Sequence, residues 1–387
     1  MSNEDILLVV FLRGGCDGLN LVGPSADPVY MTERRPETRV ERDGDHPGLP
    51  LANTLADVDF RFHFKAQPLR ELYDAKHLAV VHACGLTNGT RSHFEATDYM
   101  ERGTPENKNT PTGWLTRLAA GGHLEGLTPV ISTSNSLPIS LLSCSNAVAV
   151  PNAKKMALQG DGHLKALRES LLKSRYTGDN AVGANGMRTL QVLDIFANRL
   201  PKDAHGKLTD YTPAANANYP GDGYAGELTN SLKTLAQLIK MDIGVRIATA
   251  DYGGWDTHVG QGGRFPNLVD GLSRALAAFW SDMRGYQDRL TVVVMSEFGR
   301  RLKSNDSGGT DHGHGNAMLV LGGNVRGGNI YGRWPGLAND QLDNQVDLAV
   351  TTDYRDVLRE IAMKRFNHPR INALFPGLLP SPLGIIA

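Results

Sequence analysis

Apolar runs that predict buried strands alternate along the chain with stretches of helical spacing. Continuous branched apolar residues at Ile6–Leu12, 78–84 and Leu290–Met295 are typical of strands covered on both faces of a sheet. Shorter apolar runs predict further strands at 130–133, 245–250 and 317–321. Apolar residues at helical spacing predict helices at His93–Arg102, 186–200, 227–241, 268–286 and 353–366. The alternation indicates an α/β fold with a mainly parallel sheet sandwiched between helices and right-handed crossovers.

Two segments depart from this alternation. Residues from about 26 to 65 are rich in charge, proline and glycine, which predicts irregular surface structure. Residues 150–240 contain few strand signals, so we expect a mostly helical insertion there. No clear linker divides the chain, and its 387 residues suit one large domain, 1–387, that carries this insertion.

Charge and hydropathy exclude some classes of partner. The formal net charge is −1, from 40 basic and 41 acidic side chains, whereas general nucleic-acid binding needs clustered Lys and Arg. No apolar run approaches the roughly 18 residues of a membrane span, so no membrane partner is expected. The first residues are acidic where a signal peptide is basic, which predicts a cytoplasmic protein for the chain as given.

Candidate chemistry is confined to five polar clusters, each close behind a predicted strand. The clusters lie at 13–20, 88–95, 252–258, 296–300 and 311–316. In open α/β sheets, ligands bind at the carboxyl ends of the strands. Clusters that are far apart in sequence are therefore expected to converge at that edge of the sheet.

Histidine and carboxylate spacings in two of the clusters favour a metal site. Asp256 and His258 stand two residues apart, so in extended chain both side chains point to one side and could bind the same ion. His312 and His314 have the same spacing in a glycine-rich loop, which favours binding of a metal or an anion over packing. The alternative for Asp256 is that it caps a helical turn, with His258 in solvent.

Two further carboxylates and an arginine pair follow the first and the strongest strand. Asp17 could bind a metal or could simply turn the chain, since Asp beside Gly is common in turns. Glu297 could be a metal ligand, and Arg300 or Arg301 could hold a substrate oxyanion through two hydrogen bonds. The alternative for this pair of features is a salt bridge at the end of the strand.

A hydroxyl cluster precedes the helix predicted at His93–Arg102. Ser92 at the helix start faces the positive end of the helix dipole, which favours a bound anion or a developing alkoxide. Ser92 with Glu95 also matches the S-x-x-E capping box, and the two roles can coexist. Thr90 lies two residues away and is the competing nucleophile.

Taken in order, the motifs RGGCDGLN, NGTRSHFEA, GGWDTH, SEFGR and TDHGHGNA give the chain a family resemblance. The series resembles the DUF1501 family, which is similar to the alkaline phosphatase/sulfatase superfamily. The resemblance runs from residue 6 to about 375, nearly the whole chain. It implies an alkaline-phosphatase-like fold and a hydrolase with two metal ions.

The resemblance also implies roles for individual residues. It places Asp17, Ser92 and Glu297 in one metal site, and Asp256, His258 and either His312 or His314 in the other. Ser92 would be the nucleophile. Beyond the resemblance, we expect Arg13, Arg91 or Arg300 to neutralise the substrate's non-bridging oxygens. The sequence departs from the superfamily pattern at Glu297, where Asp is usual, and at Phe298, where His is usual.

The predicted function is metal-dependent hydrolysis of phosphate or sulfate esters, with Ser92, Arg91 and Arg300 as the catalytic residues. Mixed His and carboxylate ligands allow zinc, manganese or iron as the divalent ion. The predicted substrate is a small-molecule or glycan ester. One alternative is a metal-site protein that binds an oxyanion or a glycan without hydrolysing it. Another is a structural protein whose polar clusters are only turns and caps.

Overall fold

A mixed sheet forms the centre of the protein, whose computed structural model describes residues 4–53, 55–122, 124, 126–156, 158, 162–177, 180–221 and 223–387. Within these residues the sheet has nine strands: β1 (Ile6–Leu12), β5 (Leu78–Gly85), β6 (Val130–Ser132), β7 (Ala147–Ala149), β8 (Ile247–Tyr252), β9 (Leu290–Met295), β12 (Asn316–Gly322), β13 (Ile330–Tyr331) and β14 (Thr352–Asp353). The order across the sheet is β13-β5-β12-β9-β1-β8-β6-β7, and β14 also pairs with β5.

The sheet is mostly parallel. Strand β1 pairs in parallel with β8 on one side and β9 on the other, and β6, β7, β13 and β14 join in the same direction. In the described part of the chain, β12 is the member that runs antiparallel to its neighbours, β5 and β9. An apolar run such as AMLVL predicts that a strand is buried but does not encode its direction.

Helices cover both faces of the sheet. They are α1 (Gly18–Leu21), α2 (Pro28–Glu33), α3 (Gln67–Asp74), α4 (His93–Arg102), α5 (Trp114–Gly121), α6 (Lys165–Arg175), α7 (Ala181–Arg199), α8 (Gly226–Lys240), α9 (Gln261–Asp282), α10 (Tyr354–Phe366) and α11 (Ile371–Leu374). Leu8 and Val10 of β1 pack in one hydrophobic core with residues of α3, α8 and α9. Leu7 and Val9 point the other way, into a core with α4, α5 and α10. The sequence prediction of a mainly parallel sheet sandwiched between helices is confirmed.

The segment predicted as irregular surface, residues 26–65, is instead partly ordered and buried. Its strands β3 (Leu49–Pro50) and β4 (Phe60–Phe62) join β2 (Val22–Pro24) in a small antiparallel sheet. Phe60 and Phe62 are fully buried, and so is Tyr30 of α2. Strands of two and three residues are too short to give a periodic pattern, so the charged and proline-rich surroundings dominated the sequence signal.

Residues 150–240 contain α6, α7 and α8. Val192 and Phe196 of α7 are buried in the same core as α3 and α9. The helices of the described residues include none that is both long and apolar enough to cross a membrane.

Candidate metal centre

Three imidazoles and one carboxylate converge beyond the carboxyl ends of the sheet strands. His93 is the first residue of α4, Asp256 and His258 lie in the loop after β8, and His312 ends β11 (Thr310–His312). Asp256 Oδ1 lies 3.2 Å from His258 Nε2 and 3.7 Å from Nε2 of both His93 and His312. The ligand atoms of His93, Asp256 and His312 all lie within 4.8 Å of one another. We call these four residues the imidazole cluster.

The other nitrogen of each imidazole is held from behind by an oxygen. The Nδ1 contacts are His93 to Glu297 Oε1 at 2.8 Å, His258 to Asp311 Oδ1 at 3.1 Å, and His312 to the Arg91 carbonyl at 2.8 Å. Ionised carboxylates and carbonyls can only accept hydrogen bonds, so the Nδ1 atoms carry the protons. With Nδ1 held in this way, Nε2 is the atom that each ring directs into the cluster, as in metal-binding histidines.

The protonation states favour a cation between these groups. Burial lowers the pKa of His312 and the nearby charge of Arg300 lowers it further, which favours the neutral ring at pH 7. Burial opposes ionisation of Asp256, but the hydrogen bond and the positive charge of Arg300 act together against it, and the pKa of that carboxyl is lowered. His258 and His312 face each other with Nε2 atoms only 2.8 Å apart, and such converging lone pairs repel unless a proton or metal ion joins them.

Arg300 anchors Asp256. Its side chain is fully buried, and Nη2 donates to Asp256 Oδ1 at 2.7 Å. Its remaining donors are engaged by the backbone carbonyls of Gly14, Gly15, Trp255 and Thr310. The structure therefore places Arg300, predicted as a catalytic residue, in contact with a cluster carboxylate and with backbone, instead of in the open space of the site.

A glycine and an aromatic ring complete the packing around the cluster. Gly14 has φ +116°, and a Cβ there would lie 2.5 Å from the backbone nitrogen of Asp256, so no larger side chain fits this approach. Phe298 is buried, with its ring 4.8 Å from both His93 and His312. Phe298 thus forms an apolar wall that fixes the orientation of two imidazoles.

Asp17, predicted as a metal ligand, is in a different environment. It is fully buried, and Arg34 donates to both of its oxygens, Nη1 to Oδ2 at 2.6 Å and Nη2 to Oδ1 at 2.9 Å. Gln261 donates to Oδ2 at 2.7 Å, and the backbone N–H of Asn20 donates to Oδ1. The structure thus closes Asp17 in an ion pair and does not bring it to the imidazoles.

Glu297 and His314, also predicted as ligands, contact other protein groups. Glu297 Oε1 accepts from His93 Nδ1 and from the N–H of Gly14, each at 2.8 Å. Burial opposes ionisation of Glu297, but the hydrogen bond from His93 and those from the backbone of Gly14, Gly15 and Glu297 together lower its pKa. His314 Nδ1 lies 2.7 Å from Asp343 Oδ2 and its Nε2 lies 2.8 Å from the Leu86 carbonyl, so both ring nitrogens are engaged.

The hydroxyl cluster lies at the start of α4. Ser92 is the N-cap residue, and its Oγ accepts from the N–H of Glu95 at 3.5 Å, as the capping-box pattern predicts. Thr90 Oγ1 donates to Glu95 Oε2 at 3.0 Å. The Arg91 guanidinium binds the buried carboxylate of Asp347, with Nε to Oδ2 at 2.8 Å, while its carbonyl holds His312.

Sequence reasoning therefore assembles Asp256, His258 and His312 but misses His93 and Arg34. The signal for His93 was present, because it is the first residue of a predicted helix that begins just after a buried strand. Arg34 gave no signal, since its partner Asp17 belongs to a different motif and their contact depends on tertiary structure.

Comparisons with known proteins give one family and several distant structures. The family model "Protein of unknown function (DUF1501)" matches residues 5–366. A search of curated proteins finds no match. A phosphonate monoester hydrolase from Silicibacter pomeroyi is 10% identical, with a TM-score of 0.41 over 84% of this chain and 70% of that one. An alkaline phosphatase from the Antarctic bacterium TAB5 is 11% identical, with a TM-score of 0.32 over 84% and 93%. The C-terminal periplasmic domain of EcEptC from Escherichia coli, in complex with Zn, is 9% identical, with a TM-score of 0.37 over 83% and 74%.

Proposed function

The chain belongs to the DUF1501 family, and we propose that it is a metal-dependent hydrolase of phosphate or sulfate esters. The observation that carries the proposal is the imidazole cluster: the ligand atoms of His93, Asp256 and His312 lie within 4.8 Å of one another, and His258 Nε2 lies 3.2 Å from Asp256 Oδ1 and 2.8 Å from His312 Nε2. Three imidazoles held from behind by oxygens, together with a carboxylate, form a donor set that suits a divalent ion.

His93, Asp256, His258 and His312 would hold the ion. Three nitrogen donors and one oxygen donor suit zinc, and manganese or iron would also accept this set. A divalent ion held there would supply Lewis-acid polarisation of the phosphoryl or sulfuryl oxygen of a bound ester. We propose one metal ion in place of the two that the family resemblance implies, because Asp17 is engaged by Arg34 and Glu297 by His93.

Ser92 is the proposed nucleophile. It precedes the ligand His93 by one residue and lies at the positive end of the α4 dipole, which stabilises a developing alkoxide. Thr90 donates its hydroxyl proton to Glu95, whereas Ser92 Oγ is the acceptor in its bond with the Glu95 N–H. The competing hydroxyl is thus engaged as a donor, which favours Ser92. The substrate class stays as proposed, a small-molecule or glycan ester.

One observation favours a second candidate function, binding of an oxyanion or glycan without hydrolysis. The arginines expected to neutralise the substrate's oxygens are engaged by protein groups. Arg13 pairs with Glu101 at 2.6 Å and with Asp251 at 2.8 Å. Arg91 is bound to Asp347 and Arg300 to Asp256. Transition-state charge would then be stabilised by the metal ion and the helix N-terminus alone.

Hydrolysis of 4-nitrophenyl phosphate and 4-nitrophenyl sulfate separates the two functions. The protein would be assayed after loading with zinc, manganese or iron(II), beside Asp256→Ala and a matched His314→Gln variant. The hydrolase proposal predicts turnover that is lost in Asp256→Ala and kept in His314→Gln. Metal-dependent binding of inorganic phosphate or sulfate with no turnover of either ester would overturn it and favour the second function.

A further inference from the structure

A small cavity of about 260 Å³ lies beside β10 (Arg300–Ser304), outside the imidazole cluster. Arg301 and Lys303 line it together with the apolar side chains of Val29, Leu337 and Leu342. We propose that this cavity binds a small organic anion, a carboxylate or phosphate carried on a compact apolar body. The proposal does not depend on the hydrolase function.

Arg301 is the cation that points to an anionic ligand. Its Nε is buried without a hydrogen-bond partner. The carboxylates of Asp311 and Asp347 interact with the guanidinium electrostatically, without forming a hydrogen bond or ion pair with it among the described residues. Its neighbour Arg300, in contrast, uses all of its nitrogens on carbonyls and on Asp256. A buried donor left unpaired carries a desolvation penalty that a bound carboxylate or phosphate would remove.

The cavity's charge and shape define the ligand class. Arg301 and Lys303 contribute two positive charges, and Glu33 at the end of α2 contributes one negative charge, so the lining has a net positive charge. The buried Leu337 and the half-buried Val29 and Leu342 provide an apolar wall. A volume of 260 Å³ is below the range of drug-sized ligands, about 300–1,000 Å³, and suits a ligand of single-ring size.

This site is distinct from the imidazole cluster. Alternate residues of a strand point to opposite faces, and burial along β10 follows that alternation, with Arg300, Leu302 and Ser304 buried. Arg300 points to Asp256, so Arg301 and Lys303 lie on the other face of the strand. None of the four residues of the imidazole cluster is among the described residues that line the cavity, so a ligand there would not contact the metal ligands and its binding should not require a metal.

Calorimetric titration with benzoate in the presence of EDTA tests the proposal, because the chelator removes any metal that could bind the carboxylate. Benzamide is the neutral control of the same shape. We expect benzoate to bind and benzamide to bind at least tenfold more weakly, since only the carboxylate pairs with Arg301. Equal binding of both probes, or binding of neither, would overturn the proposal.

Variants locate the binding. Arg301→Gln should weaken benzoate binding at least tenfold, whereas Arg274→Gln, which alters an exposed arginine of α9 paired with Asp270, should leave it unchanged. Gln345→Glu, at an exposed position of the cavity lining, should weaken it by charge repulsion without disturbing the fold. Benzoate binding that is unchanged in both Arg301→Gln and Gln345→Glu would place the anion elsewhere and contradict the assignment.

Discussion

The carboxylates of Asp17 and Asp256 both follow strands of the central sheet, yet their environments are opposite. Asp17 is fully buried, and Arg34, Gln261 and the backbone occupy its oxygens. The side chain of Asp256 is 51% exposed, and it lies among imidazole nitrogens that face one another. Asp17 is thus already neutralised by the protein, whereas the cluster around Asp256 presents donor atoms that suit a cation.

Whether a carboxylate at a strand end can bind a metal or serves as a structural anchor therefore depends on which side chain from a distant segment contacts it. An arginine delivers its charge as part of the fold, so the Asp17–Arg34 pair stabilises the folded chain and needs no ligand. The histidines offer lone pairs instead of charge, so the groups around Asp256 suit a cation bound from solution.

The largest expected effect is on stability, in Arg34→Met. Removing the arginine leaves Asp17 buried and uncompensated, which should lower the free energy of unfolding by roughly 3–5 kcal/mol in urea titrations. Arg35→Met is the matched control, because Arg35 and its partner Asp306 are exposed, and the change should cost under about 1 kcal/mol. A loss of stability in Arg34→Met that is no larger than in Arg35→Met would contradict the assignment of Arg34 as the residue that compensates Asp17.

Acid should lower the stability of the folded chain through two buried histidines, His63 and His82. Both are buried, and burial lowers the pKa of His63 to about 3 and that of His82 to about 4. Below pH about 6.5 the unfolded chain binds protons at these positions and the folded chain does not, so stability falls as pH falls. From pH 6 to pH 5 each should remove about 1 kcal/mol.

The control for this titration is His82→Phe, which removes one of the two sites. Its urea-derived stability should depend less steeply on pH between 6 and 5 than that of the unaltered chain. Identical slopes for the two proteins would mean that His82 is protonated equally in the folded and unfolded states, against the buried neutral ring described here.

At the imidazole cluster, Glu297→Gln should weaken zinc binding about 10–100-fold, measured by competition with a chromophoric chelator. Glu297 holds His93 Nδ1, and a neutral amide orients and polarises the ring less strongly than a carboxylate. Asp311→Asn tests the same role behind His258. Unchanged affinity in Glu297→Gln would remove His93 from the ligand set, and complete loss of zinc would make Glu297 itself a ligand.

The smallest stability effect is expected at Ser92. Ser92→Ala removes the N-cap of α4 and should cost about 1 kcal/mol, whereas Ser92→Asn keeps a capping side chain and should be nearly neutral. Neither alanine nor asparagine supplies a hydroxyl nucleophile, so ester turnover should be lost in both variants. Turnover that survives in the stable Ser92→Asn protein would contradict the nucleophile assignment.

The sequence predicted secondary structure best where one strong local pattern decides it. The bounds of β1, β9 and α4 are those expected from the apolar runs and the capping box. Helix α9, expected at 268–286, begins seven residues earlier, at Gln261. The sequence prediction missed this first part because Gly262, Gly263 and Pro266 resemble helix breakers. Tertiary contacts override them, since Gln261 is buried against Asp17 and Thr310.

At the candidate site, local spacing predicted the residues and tertiary structure decided which of them meet. Asp256 and His258 have the i, i+2 spacing, and their side chains lie on one side of the chain, with Asp256 Oδ1 3.2 Å from His258 Nε2. His312 and His314 have the same spacing, but their side chains do not meet. Strand β11 ends at His312, and His314 contacts Asp343 and the Leu86 carbonyl instead. Which carboxylate an arginine neutralises depends on contacts between distant segments, and no local pattern encodes those.

The metal content of the purified protein shows most directly whether the imidazole cluster binds an ion. Elemental mass spectrometry after loading with zinc and removal of unbound ion would compare the unaltered chain with Asp256→Ala and with His314→Ala, a histidine outside the imidazole cluster. The imidazole cluster predicts about one ion per chain in the unaltered protein and in His314→Ala, and none in Asp256→Ala. A full ion retained by Asp256→Ala, or a protein that takes up no ion at all, would contradict the account.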